Sequence, residues 1–571
     1  MKRTIRELLM TGCLACPLAA GADLVFSGLA PELEANARAL MPLAAASCDA
    51  SPSRIQRLYR DAGDSLQRSL RAMGYYNARF KADIEWPEGC WVARFDVDPG
   101  EPVRLAEVRI DAAIEQATAG KPEPALAPLV SGEILNHGRY EAYKAALLND
   151  AISRGYFDAR YKHAEVLVDR QANTASVVLE LDAGEQYRFG EVIFTQGIIK
   201  DSLLRGYSDI RSGETYQSAA IDDLYESLRD SSYFSSISIS TEPLDKQAKT
   251  VPVQVELEPG PRRVYSVGAG FATDTGPQGK ISFVNRRVND KGHQLESRLF
   301  GSEIKSEFST TYRWPRSDPR SEWYSLSGGF LHEETDTSEN DTSKLGLTYS
   351  KARSGSWLET RYIDFLSEDF IIGDEAGSSD LLLLGFNWES VRGRELSRTR
   401  NGRRLSLDVR GASDSAGSDT SFVQLRANAK WIHSFSDFTR VLVRARVGMT
   451  FEDSLEELPA SVRFLAGGDQ SIRGYDFEEL GPVGASGRII GGENLLEASI
   501  EIEKLVRDQW AVAGFVDTGS AFIGSDFEAS TGVGVGVRWY SPIGPVRLDF
   551  AHPLDDPDRS WRIHITLGPD L

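Results

Sequence analysis

The second half of the chain consists of short segments in which apolar and polar residues alternate. In residues 561–567 every odd position is apolar and every even position is polar, and residues 496–503 and 546–550 alternate in the same way. Such alternation predicts β-strands with one apolar face and one polar face. A soluble sandwich can alternate too. Charges at the polar positions along whole strands, however, are typical of a barrel wall with lipid outside and a polar lumen inside.

Sixteen such strands are predicted between residue 263 and the C-terminus, an even number, as expected for a single-chain bacterial outer-membrane barrel. The connection at residues 452–492 is much longer than a hairpin needs, and connections of that length are usually functional. The predicted strands are 264–272, 279–286, 293–301, 304–314, 322–332, 343–352, 356–366, 381–390, 403–411, 419–433, 438–451, 493–504, 508–518, 530–540, 544–551 and 560–568.

The first half of the chain contains three copies of one unit of about 80 residues. In each copy, helically spaced apolar residues precede a pair of aromatic residues, and two strands and an acidic turn follow it. We expect the aromatic pair to pack the helix onto the sheet rather than to bind a ligand. The aromatic pairs lie at residues 75–76, 156–157 and 233–234, and the acidic turns at 98–100, 182–184 and 258–260. The predicted helical faces carry Leu66, Leu70 and Met73, then Leu147, Ala151 and Ile152, then Ile221, Leu224 and Leu228.

The N-terminus has the layout of a secretory signal. Basic residues at positions 2, 3 and 6 precede a weakly apolar stretch, residues 8–20, and an A-x-A cleavage site at residues 20–22. A buried N-terminal helix is the alternative, because the apolar stretch is short and contains two cysteines. No later run of about 18 apolar residues predicts a transmembrane helix. We therefore expect residues 1–22 to be removed on export, leaving a chain that is soluble or forms a barrel.

Composition and motifs narrow the classes of function. The chain carries 84 acidic and 64 basic residues, a net charge of −20, whereas nucleic-acid binding usually requires a basic surface. The mean hydropathy of −0.31 is too polar for a helical membrane protein. Motifs of serine hydrolases, zinc proteases and nucleotide-binding loops are absent. Seven scattered histidines and two cysteines after the signal show no metal-ligand spacing, so we expect neither a metal nor another cofactor.

One pattern suggests an enzyme. The tripeptide D-T-G occurs at residues 274–276 and 517–519, and an aspartic protease needs two such loops to bring two carboxylates together. The first copy lies in a predicted hairpin loop and the second at the end of a predicted strand. Because short motifs depend on their structural context, we expect no protease activity and no other enzyme activity.

The long connection and the strands after it carry an ordered set of motifs. The set resembles the BamA-type superfamily of outer-membrane barrel assembly proteins, and the three repeats resemble its POTRA domains. Three repeats together with the terminal L-G-P-D-L are similar to the TamA-type branch, the translocation and assembly module subunits. The resemblance covers essentially the whole chain after the signal. The motifs are G-G-D-Q-S at 467–471, I-R-G-Y at 472–475, G-G at 491–492, F-V-D-T-G at 515–519 and R-W-Y-S-P-I-G-P at 538–545.

The resemblance implies a fold class of three periplasmic α+β POTRA repeats followed by a 16-stranded antiparallel transmembrane barrel in the bacterial outer membrane. It implies that the chain inserts unfolded outer-membrane clients, notably autotransporters, into the lipid, and that it works with an inner-membrane-anchored partner of the TamB type. A two-partner secretion pore is the alternative, although such pores usually carry an N-terminal plug helix and residues 24–29 look strand-like. The expected domains are 1–22 (signal), 23–102, 103–185 and 186–262 (POTRA repeats) and 263–571 (barrel).

The resemblance also implies a lumenal site. In the family the loop arginine, here Arg473 beside Ile472, Gly474 and Tyr475, folds into the lumen and meets acids on neighbouring strands. By motif position these acids are Glu501 and Asp517. Independently of the resemblance, alternate residues of a strand share one face, and this face carries Glu497, Ser499, Glu501 and Glu503. Gly534 and Gly536 are expected to face the lumen and leave room for the loop.

Two further features are predicted. Weak pairing is expected at a lateral seam where the first and last strands meet, because strand glycines pack nothing across the sheet. After signal cleavage Cys48 and Cys90 are the only cysteines, and an oxidising periplasm predicts a disulfide between them; two unpaired buried thiols are the alternative. The seam residues are Val264, Gly268 and Gly270 in the first strand and Trp561, Ile563, Ile565 and Leu567 in the last.

Overall fold

The computed structural model describes residues 23–568 except for 88–89, 113–126, 243, 394, 396–397, 453, 542–543 and 557–558. The predicted signal, residues 1–22, lies outside the described residues. The chain forms two compact units. One comprises Met1–Glu191, Arg211–Ala220 and Thr241–Pro252, and the other comprises Val192–Ile210, Ile221–Ser240 and Val253–Leu571.

Each of the three repeats contains a three-stranded sheet in which the third strand lies in the middle. In the first two sheets the leading strand runs parallel to the middle strand and the second strand runs antiparallel to it. The repeat unit predicted from the sequence, a helix followed by two strands, lacked this leading strand, although residues 24–29 were expected to be strand-like. The strands are β1 Asp23–Ser27, β2 Arg79–Glu85 and β3 Val92–Asp98; β4 Arg104–Ala112, β5 Arg160–Asp169 and β6 Thr174–Asp182; β7 Arg188–Thr195, β8 Phe234–Ser240 and β9 Thr250–Pro259. The helices are α1 Pro31–Leu40, α2 Pro52–Ala72, α3 His137–Ser153, α4 Asp201–Arg205 and α5 Ser218–Asp230.

The residue before each aromatic pair ends a helix. Gly74 follows α2 with a φ of 91°, and the Tyr75 N–H donates to the Leu70 carbonyl, which closes the helix as glycine C-caps do. Gly155 has the same φ of 91° after α3. In the third repeat Ser232 takes this role with a φ of 62°, a backbone conformation that a serine adopts at some cost.

The two aromatic residues of a pair have different partners, contrary to the expectation that both pack a helix onto its own sheet. Tyr75 packs against the first core, whereas the Tyr76 hydroxyl lies 2.5 Å from Nε2 of His137, at the start of the next repeat's helix. Phe157 likewise contacts Tyr187 of the following repeat, with ring centroids 5.4 Å apart. The second aromatic residue of these two pairs therefore links consecutive repeats.

The helical faces follow the prediction with one correction. Leu66, Leu70, Leu224 and Leu228 are buried. Ile152 is 36% exposed, because the buried face of α3 is formed instead by its tyrosines and Ala151.

A disulfide joins Cys48 to Cys90 within the first repeat, with the Cα atoms 4.7 Å apart. Cys90 is buried in the core that also contains Trp91 and Phe95. The bridge closes a sequence separation of 42 residues and ties the segment before α2 to the residues that lead into β3.

Sixteen strands form one antiparallel sheet in which each strand pairs with its neighbours in chain order, and this confirms the predicted fold class. Among the described residues, no helix is long and apolar enough to cross a membrane. The strands are β10 Arg263–Ala272, β11 Gly276–Asn285, β12 Gln294–Gly301, β13 Lys305–Pro315, β14 Glu322–Glu334, β15 Ser338–Arg353, β16 Trp357–Ile372, β17 Glu375–Arg392, β18 Gly402–Ala412, β19 Phe422–Ser434, β20 Thr439–Glu452, β21 Asn494–Arg507, β22 Trp510–Phe522, β23 Ser530–Ser541, β24 Gly544–Pro553 and β25 Arg562–Leu567.

The faces of the barrel strands follow the alternation in the sequence. In β21, Ile500 and Ile502 are each 55% exposed on the outer face, whereas Glu501 and Glu503 are buried on the lumenal face. Outward aromatic rings pack in a row across β13 to β15, as in the girdles of outer-membrane barrels. The row consists of Tyr312, Trp314, Tyr324 and Tyr349.

Candidate functional site

The long connection between β20 and β21 is packed inside the barrel. Ile472, Arg473 and Tyr475 are at most 4% exposed. Gly474 between them has a φ of 105°, the left-handed region that favours glycine, and a Cβ there would lie 3.1 Å from the Pro553 nitrogen. The turn at this glycine therefore lets the motif lie directly against the end of β24.

Arg473 contacts both carboxylates named from the sequence. Its Nε and Nη2 donate to Asp517 at 2.7 and 3.0 Å, which forms a two-pronged pair, and its Nη1 donates to Glu501 at 2.7 Å. The structure adds two partners that the sequence did not reveal. Asp549 accepts from Nη1 at 3.1 Å, and the ring of Phe515 lies 3.4 Å from the guanidinium carbon. The arginine is thus held on one side by three acids and on another by an aromatic face.

A second guanidinium completes this cluster. Arg538 on β23 donates to Glu501 at 2.7 Å and to Asp549 at 2.6 Å, so each of these acids bridges two arginines. Asp517 also lies 3.5 Å from Arg444. Among the described residues, buried Glu503 extends the cluster, since it lies 3.4 Å from Arg538 and also pairs with Arg440, so four carboxylates face four guanidinium groups and the charges compensate each other. Removing one member leaves a buried charge without its partner, which is far more costly than losing an exposed ion pair.

Glycines on β23 make room for the cluster. Gly534 and Gly536 face the lumen, as predicted from strand parity, and the structure adds Gly532. A Cβ on Gly532 would lie 1.8 Å from the Arg473 carbonyl oxygen, and one on Gly536 would lie 1.9 Å from an Asp549 oxygen. Side chains at these positions would push the loop and the acid away from their places.

Most of the seam residues of the first and last strands pair with the neighbouring strand on the side away from the seam. Val264, Gly268 and Gly270 pair with β11, and β10 is paired there along its whole length. Ile563, Ile565 and Leu567 pair with β24. Trp561 precedes β25 and stacks on His552, with ring centroids 5.3 Å apart. The glycines of β10 therefore do not interrupt its pairing with β11.

At the seam itself, the edges of β10 and β25 that face each other are not joined by a regular ladder in the described residues. In the described part of the chain they share no ladder of paired residues. The Thr273 N–H donates to the Ile565 carbonyl at 3.2 Å, and the Ile565 N–H donates to the Thr273 hydroxyl at 2.6 Å. Because the strands are antiparallel, this contact sets Phe271 opposite Leu567, the last residue of β25. Residues 263–270 therefore have no residue of β25 opposite them.

The two D-T-G aspartates lie in different surroundings. Asp517 binds Arg473, whereas Asp274, in the turn after β10, accepts the Asp469 N–H. The carboxylate pair of an aspartic protease would need the two side chains together. The arrangement gives no support to a protease.

Comparison with known families assigns the two halves of the chain. The family model described as the Omp85 superfamily domain matches residues 264–570. A model described as POTRA domain TamA domain 1 matches residues 23–99, and one described as surface antigen variable number repeat matches residues 187–260.

Individual proteins are also similar to this chain in sequence or in fold. The outer membrane protein assembly factor BamA of Nitratidesulfovibrio vulgaris is 22% identical over 527 residues, covering 87% of this chain. The match spans 66% of that relative, just under two thirds of its length. The crystal structure of BamA from Haemophilus ducreyi lacking POTRA domains 1–3 matches with a TM-score of 0.67 at 15% identity, over 82% of this chain and 99% of that one. CdiB from Acinetobacter baumannii matches with a TM-score of 0.47 at 14% identity, over 82% and 90%.

Proposed function

This chain belongs to the Omp85 superfamily, and we propose that it inserts β-barrel clients, notably autotransporters, into the outer membrane. The barrel lies in the outer membrane and the POTRA repeats lie in the periplasm. A relative with a match along 87% of this chain carries the name of an outer-membrane protein assembly factor. That name supports a role in assembly rather than in catalysis.

The observation that carries this proposal is the edge of β10 that faces away from β11, along which no strand pairs in the described part of the chain. Residues 263–270 have backbone donors and acceptors on the side away from β11, and Val267 is 81% exposed. In the hydrocarbon region an unpaired strand edge is costly, because lipid offers it no hydrogen bonds. An extended client strand can satisfy this edge by antiparallel pairing, as in other cases of strand addition. The seam would then template the first strand of the client.

The POTRA sheets offer a second place for strand addition. Strands β2, β5 and β8 are edge strands of their three-stranded sheets. Edges of this kind can hold an unfolded client by backbone hydrogen bonds before it reaches the barrel. A TamA-type role, with a TamB-type partner anchored in the inner membrane, is the finer form of the proposal. The match of the first repeat to the model of TamA domain 1 supports it.

Reconstitution tests this function directly. The full chain is placed in liposomes with a urea-unfolded autotransporter β-domain, and insertion is followed by protease protection and by the gel shift of the folded client. We expect insertion well above that of empty liposomes. Insertion no faster than in empty liposomes, together with polypeptide-dependent conductance through the barrel, would instead indicate a secretion pore.

A further inference from the structure

One histidine on the last strand contacts the inserted loop through both of its ring nitrogens. His564 is 1% exposed. Its Nε2 accepts the Gly474 N–H at 2.9 Å, and its Nδ1 lies 2.5 Å from the Asp469 carboxylate. Because a backbone N–H can only donate, Nε2 must be the acceptor and the ring proton must be on Nδ1, where it is donated to Asp469. The neutral imidazole thus accepts a hydrogen bond from Gly474 and donates one to Asp469.

The first hairpin, formed by β10, β11 and the turn between them, also contacts Asp469. The Asp469 carboxylate also lies 3.2 Å from the Thr273 hydroxyl, and the Asp469 N–H donates to Asp274 at 2.5 Å. Thr273 is the residue whose backbone contacts Ile565 across the seam. The loop residue Asp469 therefore binds the last strand and the turn after the first strand at the same time.

This contact lies next to the arginine cluster. His564 pairs with Asp549 in the ladder between β24 and β25, and Asp549 binds both Arg473 and Arg538. On the same strand as His564, Arg562 pairs with Asp476, the residue directly after the loop motif. A displacement of β25 would consequently pull on the loop on both sides of Arg473.

We propose that His564 is a positioning residue that couples the inserted loop to the seam. It holds the loop tip through Gly474 and, through Asp469, the first hairpin, so β25 separates from β10 only when Asp469 leaves either His564 or the first hairpin. This coupling concerns the resting barrel. It holds whether or not the chain assembles autotransporters.

A metal ion is the competing explanation for the same side chains. Asp274, Asp469 and His564 each offer a ligand atom, and these atoms lie within 4.8 Å of one another. A metal on Nδ1 would move the ring proton to Nε2, where the Gly474 N–H already points. Metal binding would therefore break the loop contact, whereas the hydrogen-bonded arrangement satisfies both nitrogens.

Three substitutions of His564 separate its two contacts. The amide of His564→Asn reaches the position of Nδ1 and can keep the bond to Asp469. The amide of His564→Gln reaches the position of Nε2 and can keep the acceptor for Gly474. His564→Leu keeps neither. His433→Leu, on β19 where the ring stacks on Trp431, is the matched control.

The effect of each substitution is measured by hydrogen–deuterium exchange of the full chain in detergent or nanodiscs. The gel shift of the folded barrel confirms that each variant folds. We expect His564→Leu to raise exchange about tenfold both in residues 468–476 and in residues 263–274, the effect of losing roughly one or two hydrogen bonds. His564→Asn should mainly affect the loop tip and His564→Gln mainly the hairpin. His433→Leu should change neither segment.

Two outcomes would overturn the coupling. One is that all three substitutions of His564 raise exchange only within β25, as expected for packing alone. The other is that micromolar Zn²⁺ slows exchange of both segments in the unsubstituted chain but not in His564→Leu, because the side chains would then act as a metal site.

Discussion

Arg473 and Asp517 are joined by two N–H···O bonds of 2.7 and 3.0 Å, although 44 residues separate them in the chain. The guanidinium plane and the carboxylate meet edge to edge, the arrangement in which arginine binds an acid most specifically. Asp517 lies in the wall of the barrel and Arg473 in the loop that fills it. This pair therefore fixes the position of the loop relative to the last four strands.

Substitution of Arg473 tests the role of this pair. Arg473→Ala should destabilise the docked loop by about 3–5 kcal/mol, because it leaves buried carboxylates without their partner. Arg473→Lys should be intermediate, since a single ammonium cannot bind both Asp517 oxygens as a fork. The gel shift of the heated and unheated barrel and client insertion in liposomes should both decline.

The matched control is Arg446→Ala. Arg446 also pairs with a lumenal acid, Glu497, at 2.9 Å, but its side chain is 42% exposed and lies on a strand rather than the loop. Its loss leaves one buried carboxylate without this cation, whereas loss of Arg473 leaves three, so Arg446→Ala should cost clearly less than Arg473→Ala. If Arg473→Ala behaves like Arg446→Ala in both assays, the loop is not held by this cluster.

Gly532→Ala should release the loop without removing any charge. The added methyl group would lie 1.8 Å from the Arg473 carbonyl, and backbone cannot move aside as a flexible side chain can. We expect a loss of about 1–3 kcal/mol in the stability of the docked loop, measured by faster hydrogen exchange at residues 470–476. Gly514→Ala on the neighbouring strand is the control, since a Cβ there meets nothing within 4 Å. Equal exchange in the two variants would contradict the close approach of loop and strand.

Docking of the loop should depend on pH through Glu478. Burial and the nearby Glu333 raise the pKa of Glu478 to about 7 in the docked loop, from an ordinary value of 4.5. The protonated acid is therefore favoured in the docked state, and its contribution is fully present below pH 4.5. The docking equilibrium should fall by up to tenfold per pH unit between about pH 4.5 and 7 and then level off.

A second acid acts in the same direction. Burial and the neighbouring Asp469 raise the pKa of Asp274 to about 6. Hydrogen exchange of residues 468–480 between pH 5 and 8, corrected for intrinsic exchange, measures the sum of the two groups. Glu478→Gln should flatten the upper part of this profile, and Glu478→Gln combined with Asp274→Asn should remove the dependence. An unchanged slope in the double variant would show that other groups control docking.

The disulfide should stabilise only the first repeat. In the chain-entropy model a bridge across 42 residues contributes about 4 kcal/mol. Replacing both Cys48 and Cys90 by serine should therefore lower the free energy of unfolding of this repeat and leave the gel shift of the barrel unchanged. Thiol titration of the unfolded, unreduced chain should find no free thiol among these two cysteines; two free thiols per chain would refute the bridge.

Strand alternation predicts which residues share a face, but it does not predict which residues meet across neighbouring strands. The faces of β21 were predictable because lipid on one side and the lumen on the other impose strict alternation. Asp549 and Arg538 were missed because their meeting depends on the register between β23 and β24, and alternation within one strand does not determine register. Strands β15 to β17 extend beyond the predicted 343–352, 356–366 and 381–390. The added part of β15 is polar on both faces, and β16 ends in Phe370, Ile371 and Ile372, which are apolar on both faces, so alternation ends before backbone pairing does.

The repeats show a second limit. Helical spacing and the aromatic markers located α2, α3 and α5, but the partners of Tyr76 and Phe157 lie in the following repeat. Contacts between repeats depend on how neighbouring units pack, and periodicity within one unit carries no information about that. The seam contact of Thr273 with Ile565 is of the same kind, because it joins the two ends of the barrel sequence.

Crosslinking the seam tests the central claim, that clients enter through the gap between β10 and β25. Cysteines are placed at Phe271 and Leu567, which the Thr273–Ile565 contact sets opposite each other, in a chain that lacks Cys48 and Cys90. Client insertion is then measured in liposomes before oxidation, after oxidation and after renewed reduction, with either cysteine alone as the control. We expect oxidation to stop insertion and reduction to restore it. Full insertion by a chain whose seam is demonstrably crosslinked would contradict it.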